Sequence, residues 1–561
     1  MDEMVDGIRE EAASRGPLIM DGSQRKTVLM SIGLILATFW AARHMLHGRF
    51  GFYEDDYTLV VRAMAGDWRE VQSFLSDTLG RFGGQGRPLQ HSSVFLLSYL
   101  TGRLGGLAPA YWLAFSIVGL NCVLFYFLLR RLHDGNFALV GGIAYALFSA
   151  DTTQAFLYHA FGLQQSLTFL LLSCLAYLSG RRSLAYFLSL GSLLSYETAY
   201  LVFLGAPLLE DLGDKAWRRR LAIHAAVVLA ILGLMVGLRT LTTEGRVIGL
   251  TPQEILRVPL VHTLEGPPVA LGSYLLRPVQ ALIGMDREVA AASLASLVAF
   301  WLAFDFLAPP PSADPRSRAR LLRLAIVGGL MLALAYPLTF TVRAYAISGR
   351  DTRVHLAAIV GASMVFASVW SLFLSRPMDR SLRQASIGGL SGLFALLIGF
   401  GVVVQKDYAR AWELQKEFWS SLVSQVPDLQ EGNVVLIDPD GLSDTRYLDA
   451  NTWNLPLVLQ YVVAFPDGWA RMPEVHRLLP DWRQRSLFNP LELKAVDYAW
   501  EYVVVPWDRV VLLETMEGEV GGRATQVEIE GARYLIDLPD QVDAAPFRPG
   551  FLFSELIEQS P

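Results

Sequence analysis

The chain has 561 residues, of which 53% are hydrophobic and 18% charged, with a formal net charge of -6. Soluble domains carry roughly 25% charged residues, so this deficit, with a mean hydropathy of +0.36, points to a polytopic α-helical membrane protein. The absence of a basic tail leaves no nucleic acid expected as a partner. The two cysteines, Cys122 and Cys174, both lie in apolar segments, which argues against a disulfide or a thiolate metal site.

Residues 1–26 read as a cytoplasmic tail; the first 24 are acidic and polar, so the first span is expected to act as its own insertion signal. Apolar runs then recur at 27–42, 110–129, 136–150, 160–179, 183–195, 198–210, 221–240, 288–308, 321–340, 354–374 and 385–404. That makes about 11 expected transmembrane helices within a membrane domain of residues 27–404. Arg25-Lys26, Arg130-Arg131, Arg181-Arg182, Lys215 with Arg218-Arg219-Arg220, the arginines of 316–323, and Arg376, Arg380 and Arg383 mark the cytoplasmic face. Loop 43–109 and everything after 405 are then external. One stretch strains the scheme: 183–214 must enter and return in about 32 residues, too few for two full spans of roughly 20. The expectation is two short helices meeting near Ser195-Tyr196-Glu197, with Glu197 on the external side.

Loop 43–109 carries Trp68, Phe74, Leu75, Leu79 and Gly86-Arg87-Pro88-Leu89, which fits amphipathic helices on the outer surface better than coil. Residues 266–285 look similar, although an additional span there is an alternative. Residues 309–315 read as a rigid turn. From 405 the composition changes. Trp412 and Trp419 suggest a helix leaving the membrane, and 432–440, 501–506, 525–530 and 534–538 read as strands of a C-terminal soluble α/β domain, 405–561.

Four polar groups gather at the external face on this topology. They are Glu54, Asp55 and Asp56; Asp151 followed by Gln154, His159 and Gln164-Gln165; Glu197; and Arg343, Arg350, Arg353 and His355. The last group is basic on the side the positive-inside rule disfavours, which suits an anionic lipid headgroup. Carboxylates facing arginines at a membrane surface match sugar transfer from a phosphate-linked lipid. A carboxylate takes the acceptor's proton and cations stabilise the departing phosphate. A divalent metal held by Asp55, Asp56 and Asp151 is an alternative use of the acids. His159 and His355 fit structural hydrogen bonding better than catalysis, and Arg87 reads equally well as a headgroup contact.

The order of these features resembles the GT-C superfamily of membrane glycosyltransferases, which includes the protein O-mannosyltransferases and their bacterial relatives. The resemblance rests on Glu54-Asp55-Asp56-Tyr57 after the first span, Gly86-Arg87-Pro88-Leu89, Asp151 to Gln165, and Leu194-Ser195-Tyr196-Glu197-Thr198-Ala199. It covers roughly 27–210 closely and the later spans in layout. It implies a polyprenyl-phosphate sugar donor, transfer at the external face to a glycan, lipid or protein acceptor, and Asp55 as the base beside Asp56. Tyr196 departs from the pattern, since related sequences often carry a basic residue before the acid, which leaves the role of Glu197 open.

The expected function is an inverting membrane glycosyltransferase, in a bacterial inner membrane with its site facing the periplasm. Two rivals remain. One is a transporter or flippase for a lipid-linked glycan or other solute, although the acids cluster at one face rather than at the midplane. The other is a non-catalytic scaffold.

Overall fold

The computed structural model describes residues 22–80, 86–210, 216–241, 251–307, 315–340, 343–376, 378–437, 445–448, 455–477 and 548–557, with residue 450 and the strand segments between 488 and 535. The expected tail up to residue 21 and most of the 309–315 turn lie outside the described residues.

The chain is dominated by helices. α1 (Gly22–Arg43) is followed by α2 (Asp56–Ala65), α3 (Trp68–Gly80) and α4 (Pro88–Arg103), and then by α5 (Leu107–Leu132) and α6 (Gly135–Ala146). A π-helical turn (His159–Leu163) leads into α7 (Gln164–Leu178), then α8 (Arg182–Ser195) and a 3-10 segment (Glu197–Leu209). α9 (Trp217–Leu241), α10 (Pro252–Ile283), α11 (Arg287–Leu307), α12 (Pro315–Ala333), α13 (Ala358–Leu374) and α14 (Arg380–Gln425) complete the helical part. Among the described residues, six helices are long and apolar enough to cross a membrane: Gln24–Arg49, Leu107–Leu132, His159–Leu178, Trp217–Leu241, Arg287–Phe306 and Arg380–Gln425. Gly135–Ala146, Glu197–Leu209 and Ala358–Leu374 are shorter apolar helices. The protein is thus built as an α-helical membrane protein.

The 183–214 stretch breaks at Tyr196, whose extended backbone (φ -157°, ψ 115°) ends α8. The return leg is 3-10 over 13 residues. At about 2.0 Å per residue such a leg reaches roughly 26 Å, where an α-helix of that length would reach only about 20 Å. The tighter winding gives a short segment nearly the thickness of a hydrocarbon core, about 30 Å.

Of the helices in the expected external loop, α2 and α3 are amphipathic and α4 is not, and the three pack on one another. Phe74 of α3 stacks on Phe95 of α4 at 4.1 Å between ring centres. Ala63, Val71 and Phe95 form a small buried core of their own. α10 is not among the span-length apolar helices. Its Tyr274 hydroxyl donates to Ala144 O at 2.9 Å, its Arg277 Nε to Ser149 O at 3.2 Å, and its His262 ring meets Thr339 O at 2.6 Å. These partners are the C-terminal end of α6 and the segment that follows α12. α10 therefore lies across helix ends, with Leu264, Leu275, Leu276 and Ile283 exposed along it.

α12 and α13 approach closely through glycine. A Cβ on Gly361 would sit 2.3 Å from Leu332 N and 2.6 Å from Gly328 O, both backbone atoms. Small residues permit such contact between membrane helices. Gly361→Leu is expected to force the pair apart and cost at least about 1–3 kcal/mol, read as a lowered thermal midpoint in detergent. An unchanged midpoint would mean that the helix pair yields freely.

α14, at 46 residues, is about 69 Å long, more than twice a hydrocarbon core. Its second half carries buried Trp412 and Trp419 and supports the C-terminal segment. There β1 (Val434–Ile437) pairs in parallel with Glu474–Arg477 on one side and Val510–Met516 on the other, and the latter pairs antiparallel with Glu519–Arg523. Strand 1 is buried throughout, as a strand inside a parallel sheet should be.

Candidate active site

Glu54, Asp55 and Asp56 lie where the chain turns into α2. Glu54 adopts a left-handed backbone (φ +44°), a strained conformation for a residue with a side chain. The turn sends Asp56 away from Glu54 and Asp55, which both face Arg350. Asp55 faces the 3-10 turn Arg350–His355, where Arg353 Nη1 donates to its Oδ2 at 3.2 Å. Arg350 Nη1 lies 3.8 Å from Asp55 Oδ1, and Arg350 Nε lies 3.4 Å from Glu54 Oε2. Asp55 keeps 16% side-chain exposure, while Glu54 keeps 1%.

Asp56 points inward. Its Oδ2 accepts from the Tyr53 amide at 3.0 Å and its Oδ1 from the Tyr158 amide at 2.7 Å. It therefore pins the acidic turn to the 157–158 loop. Burial pushes its carboxyl up to about 7, against the pull of these amides. Unfolded aspartate titrates near ~3.9, so the native state holds this proton better. The stability linked to it is full below about pH 4 and is lost as pH rises through about 7. The advantage in thermal midpoint of wild type over Asp56→Asn should accordingly be larger near pH 5 than near pH 8, by about the linkage of one proton. A gap that does not change with pH would show that Asp56 is ionised throughout.

α14 braces the turn from behind. Tyr53 donates its hydroxyl to Tyr408 O at 2.8 Å, Tyr57 to Gln415 Oε1 at 2.5 Å, and Gln415 Nε2 donates to Phe52 O at 3.1 Å. Gly51 lies flat on the Trp412 ring, where a Cβ would fall within 1.8 Å.

The second acidic group is buried. Asp151 Oδ1 accepts from the Thr153 amide at 2.8 Å and from the Thr153 hydroxyl at 2.7 Å. Burial pushes the Asp151 carboxyl up, opposed by Thr153 and by Arg43 and Arg353 within electrostatic reach. Arg43, also buried, donates to Phe148 O at 2.5 Å. His159 Nδ1 meets Thr153 Oγ1 at 2.7 Å, and its ring feels Arg353, Asp55 and Arg350. Gln154 is buried in the same loop. The Thr152 amide donates to Thr352 Oγ1 at 3.1 Å, and Tyr408 donates to Thr152 O at 2.8 Å. The arginine turn is thus tied to the Asp151 loop and both to α14.

Glu197, the third group, is clamped by two arginines. Arg87 Nε donates to Oε2 at 2.8 Å and its Nη2 to Oε1, a two-pronged pair. Arg239 Nη2 lies 3.5 Å from Oε2 and donates to Gly86 O at 2.8 Å. The Arg87 guanidinium sits 4.5 Å over the Tyr196 ring, and Tyr196 is within electrostatic reach of Arg353. Glu197, Arg87 and Tyr196 are therefore linked by contacts, and the Arg353–Asp55 pair lies within electrostatic reach of them.

Two of the sequence candidates stay outside this cluster. Arg343 is exposed and bonds the Tyr345 hydroxyl at 2.5 Å. His355 bonds the Tyr336 hydroxyl at 2.8 Å and Ala346 O at 2.8 Å, so it holds the 336–355 segment together. Asp55, Asp56 and Asp151 each face different partners, and among the described residues no group of three or more His, Cys, Asp or Glu converges for a metal ion. The three acids do not fit a shared metal.

Arg43, Thr153, Tyr158, Arg239 and Gln415 carry the site without having stood out in the sequence, whereas Tyr53 belongs to the acidic run that did. Arg43 reads there as a flanking charge. The others have partners that are turn-local, as for Thr153 with Asp151, or far along the chain, as for Tyr158 with Asp56, 102 positions away.

Compared with protein-family models, curated proteins and solved structures, the chain matches none of them.

Proposed function

We propose that this protein is an inverting membrane glycosyltransferase that uses a polyprenyl-phosphate sugar at the external, periplasmic face of a bacterial inner membrane. The observation that carries the reading is the pairing of Asp55 with Arg353 and Arg350 at 3.2 and 3.8 Å. A partly exposed carboxylate beside two guanidinium forks is suited to a reaction that needs a base and a phosphate site next to each other. The donor's phosphate takes the arginines and frees Asp55. The acceptor hydroxyl oxygen then attacks the anomeric carbon, Asp55 takes its proton, and the bond from that carbon to the phosphate oxygen breaks. The electron pair leaves with polyprenyl phosphate, whose charge stays on Arg350 and Arg353. Asp56 positions the turn, while Asp151 and the Arg87–Glu197 pair frame the sugar or the acceptor. We count the shorter apolar helices, α8 and α12 as further spans, making about eleven, and take the segment after residue 405 as an α/β domain that covers the site or recognises the acceptor.

The test is donor cleavage. Purified protein with a radiolabelled polyprenyl-phosphate sugar and a panel of acceptors should release polyprenyl phosphate and give a product of inverted anomeric configuration. Movement of intact lipid-linked sugar across reconstituted vesicles, with no cleavage, would point to the flippase reading instead.

A further inference from the structure

A second polar cluster lies at the opposite end of the helices. α13 runs from beside the Arg350–His355 turn to Leu374, about 25 Å away, and α14 runs about 37 Å from Arg383 to Tyr408. At that far end a cavity of about 320 Å³ is lined by Arg131, His133, Asp134, Arg316, Ser317 and Arg320. Three arginines face one carboxylate there. Asp134 is already committed: it caps α6 by accepting from the Phe137 amide at 2.9 Å and lies 3.2 Å from His133 Nδ1. His133 Nε2 meets Ser317 Oγ at 3.0 Å, which joins the α5–α6 turn to the start of α12. The Arg320 Nε atom is buried without a hydrogen-bond partner among the described residues.

His133, Asp134 and Ser317 also line a second, adjoining crevice. Its lining includes Arg383 and is mostly apolar, with Leu139, Val140, Phe304, Trp370, Leu374 and Ile387 contributed by four helices. Arginines at one end of a bundle are ordinary in membrane proteins. A cavity among them that continues into an apolar slot between helices is not explained by that rule.

We infer that this cavity and crevice bind an anionic phospholipid, the phosphate headgroup on Arg316, Arg320 and Arg383 and the first methylenes of an acyl chain entering the slot, whose volume is about 40 Å³. Basic pockets between membrane helices recognise such headgroups through charge and paired hydrogen bonds. The polar mouth and apolar interior match the two ends of one lipid molecule. A free phosphate would fit the mouth alone. The site is separate from the chemistry at Asp55 and stands whether or not that reaction is the one proposed.

Native mass spectrometry of the full chain, released from detergent with defined lipids, tests this. Phosphatidylglycerol should be retained about ten-fold or more over phosphatidylcholine, and excess inorganic phosphate should not displace it. The triple variant Arg316→Ala, Arg320→Ala, Arg383→Ala should lose that preference, while the triple lysine variant keeps most of it and controls for folding. Equal retention of the two lipids, displacement by inorganic phosphate, or undiminished preference in the alanine variant would each overturn the assignment; the wild-type lipid comparison needs no variant at all.

Discussion

Asp55→Asn should fold as wild type and lose transfer by about 10²–10⁴-fold, the range typical of a missing general base. The loss should fall on kcat. The amide is nearly the same size and still meets Arg353, which in wild type donates to Oδ2 at 3.2 Å. It no longer competes as an anion for the guanidinium forks, so the donor lipid should bind at least as tightly as before. Steady-state kinetics with a saturating acceptor and varied donor separates these effects. A variant with normal kcat would remove Asp55 from the chemistry. Weaker donor binding with unchanged kcat would instead make the carboxylate a structural partner of the arginine turn.

The second large effect is on stability. Glu197→Gln removes the carboxylate that holds both Arg87 and Arg239 while leaving two cations that are 12% and 11% exposed. Breaking a buried pair by removing one partner costs about 3–5 kcal/mol, because the survivor is left uncompensated. Residual solvent contact puts the expected cost near 3 kcal/mol, seen as a large drop in thermal midpoint or in the yield of monodisperse protein. Double replacement, Glu197→Gln with Arg87→Gln, should recover part of that loss. If the single variant is as stable as wild type, the clamp contributes little and the α4 start, the Tyr196 break and α9 are held together by packing alone.

These two residues also mark how far the sequence carries the account. The apolar runs located the long helices, and the shortage of residues between Arg182 and Lys215 required a break, which falls at Tyr196. The sequence could not say that the return leg is 3-10, since that winding comes from packing rather than from residue type. Residue type alone did not separate the three consecutive acids, and only the family resemblance pointed to Asp55. The left-handed turn at Glu54 separates them, giving Asp55 to the arginines and Asp56 to two backbone amides. Partnerships such as Arg87 with Glu197, 110 positions apart, have no local signature. The same holds for Arg43, whose place at the end of an apolar helix suggested a boundary charge although it is 4% exposed. Four arginine and histidine candidates after α12 divided for a similar reason. The short turn at 350–355 aims Arg350 and Arg353 at the acids, and it leaves Arg343 outside and His355 facing Tyr336.

The most direct measurement is a structure of the protein with a bound polyprenyl monophosphate, the product of the proposed reaction. The account predicts the phosphorus within about 4 Å of the Arg350 and Arg353 guanidinium groups, the chain leaving between helices toward the bilayer, and the Asp55 carboxylate released from Arg353 toward open space. A phosphate bound elsewhere, with the Asp55–Arg353 pair intact, would contradict the central claim that these residues form a phosphate-linked sugar transfer site.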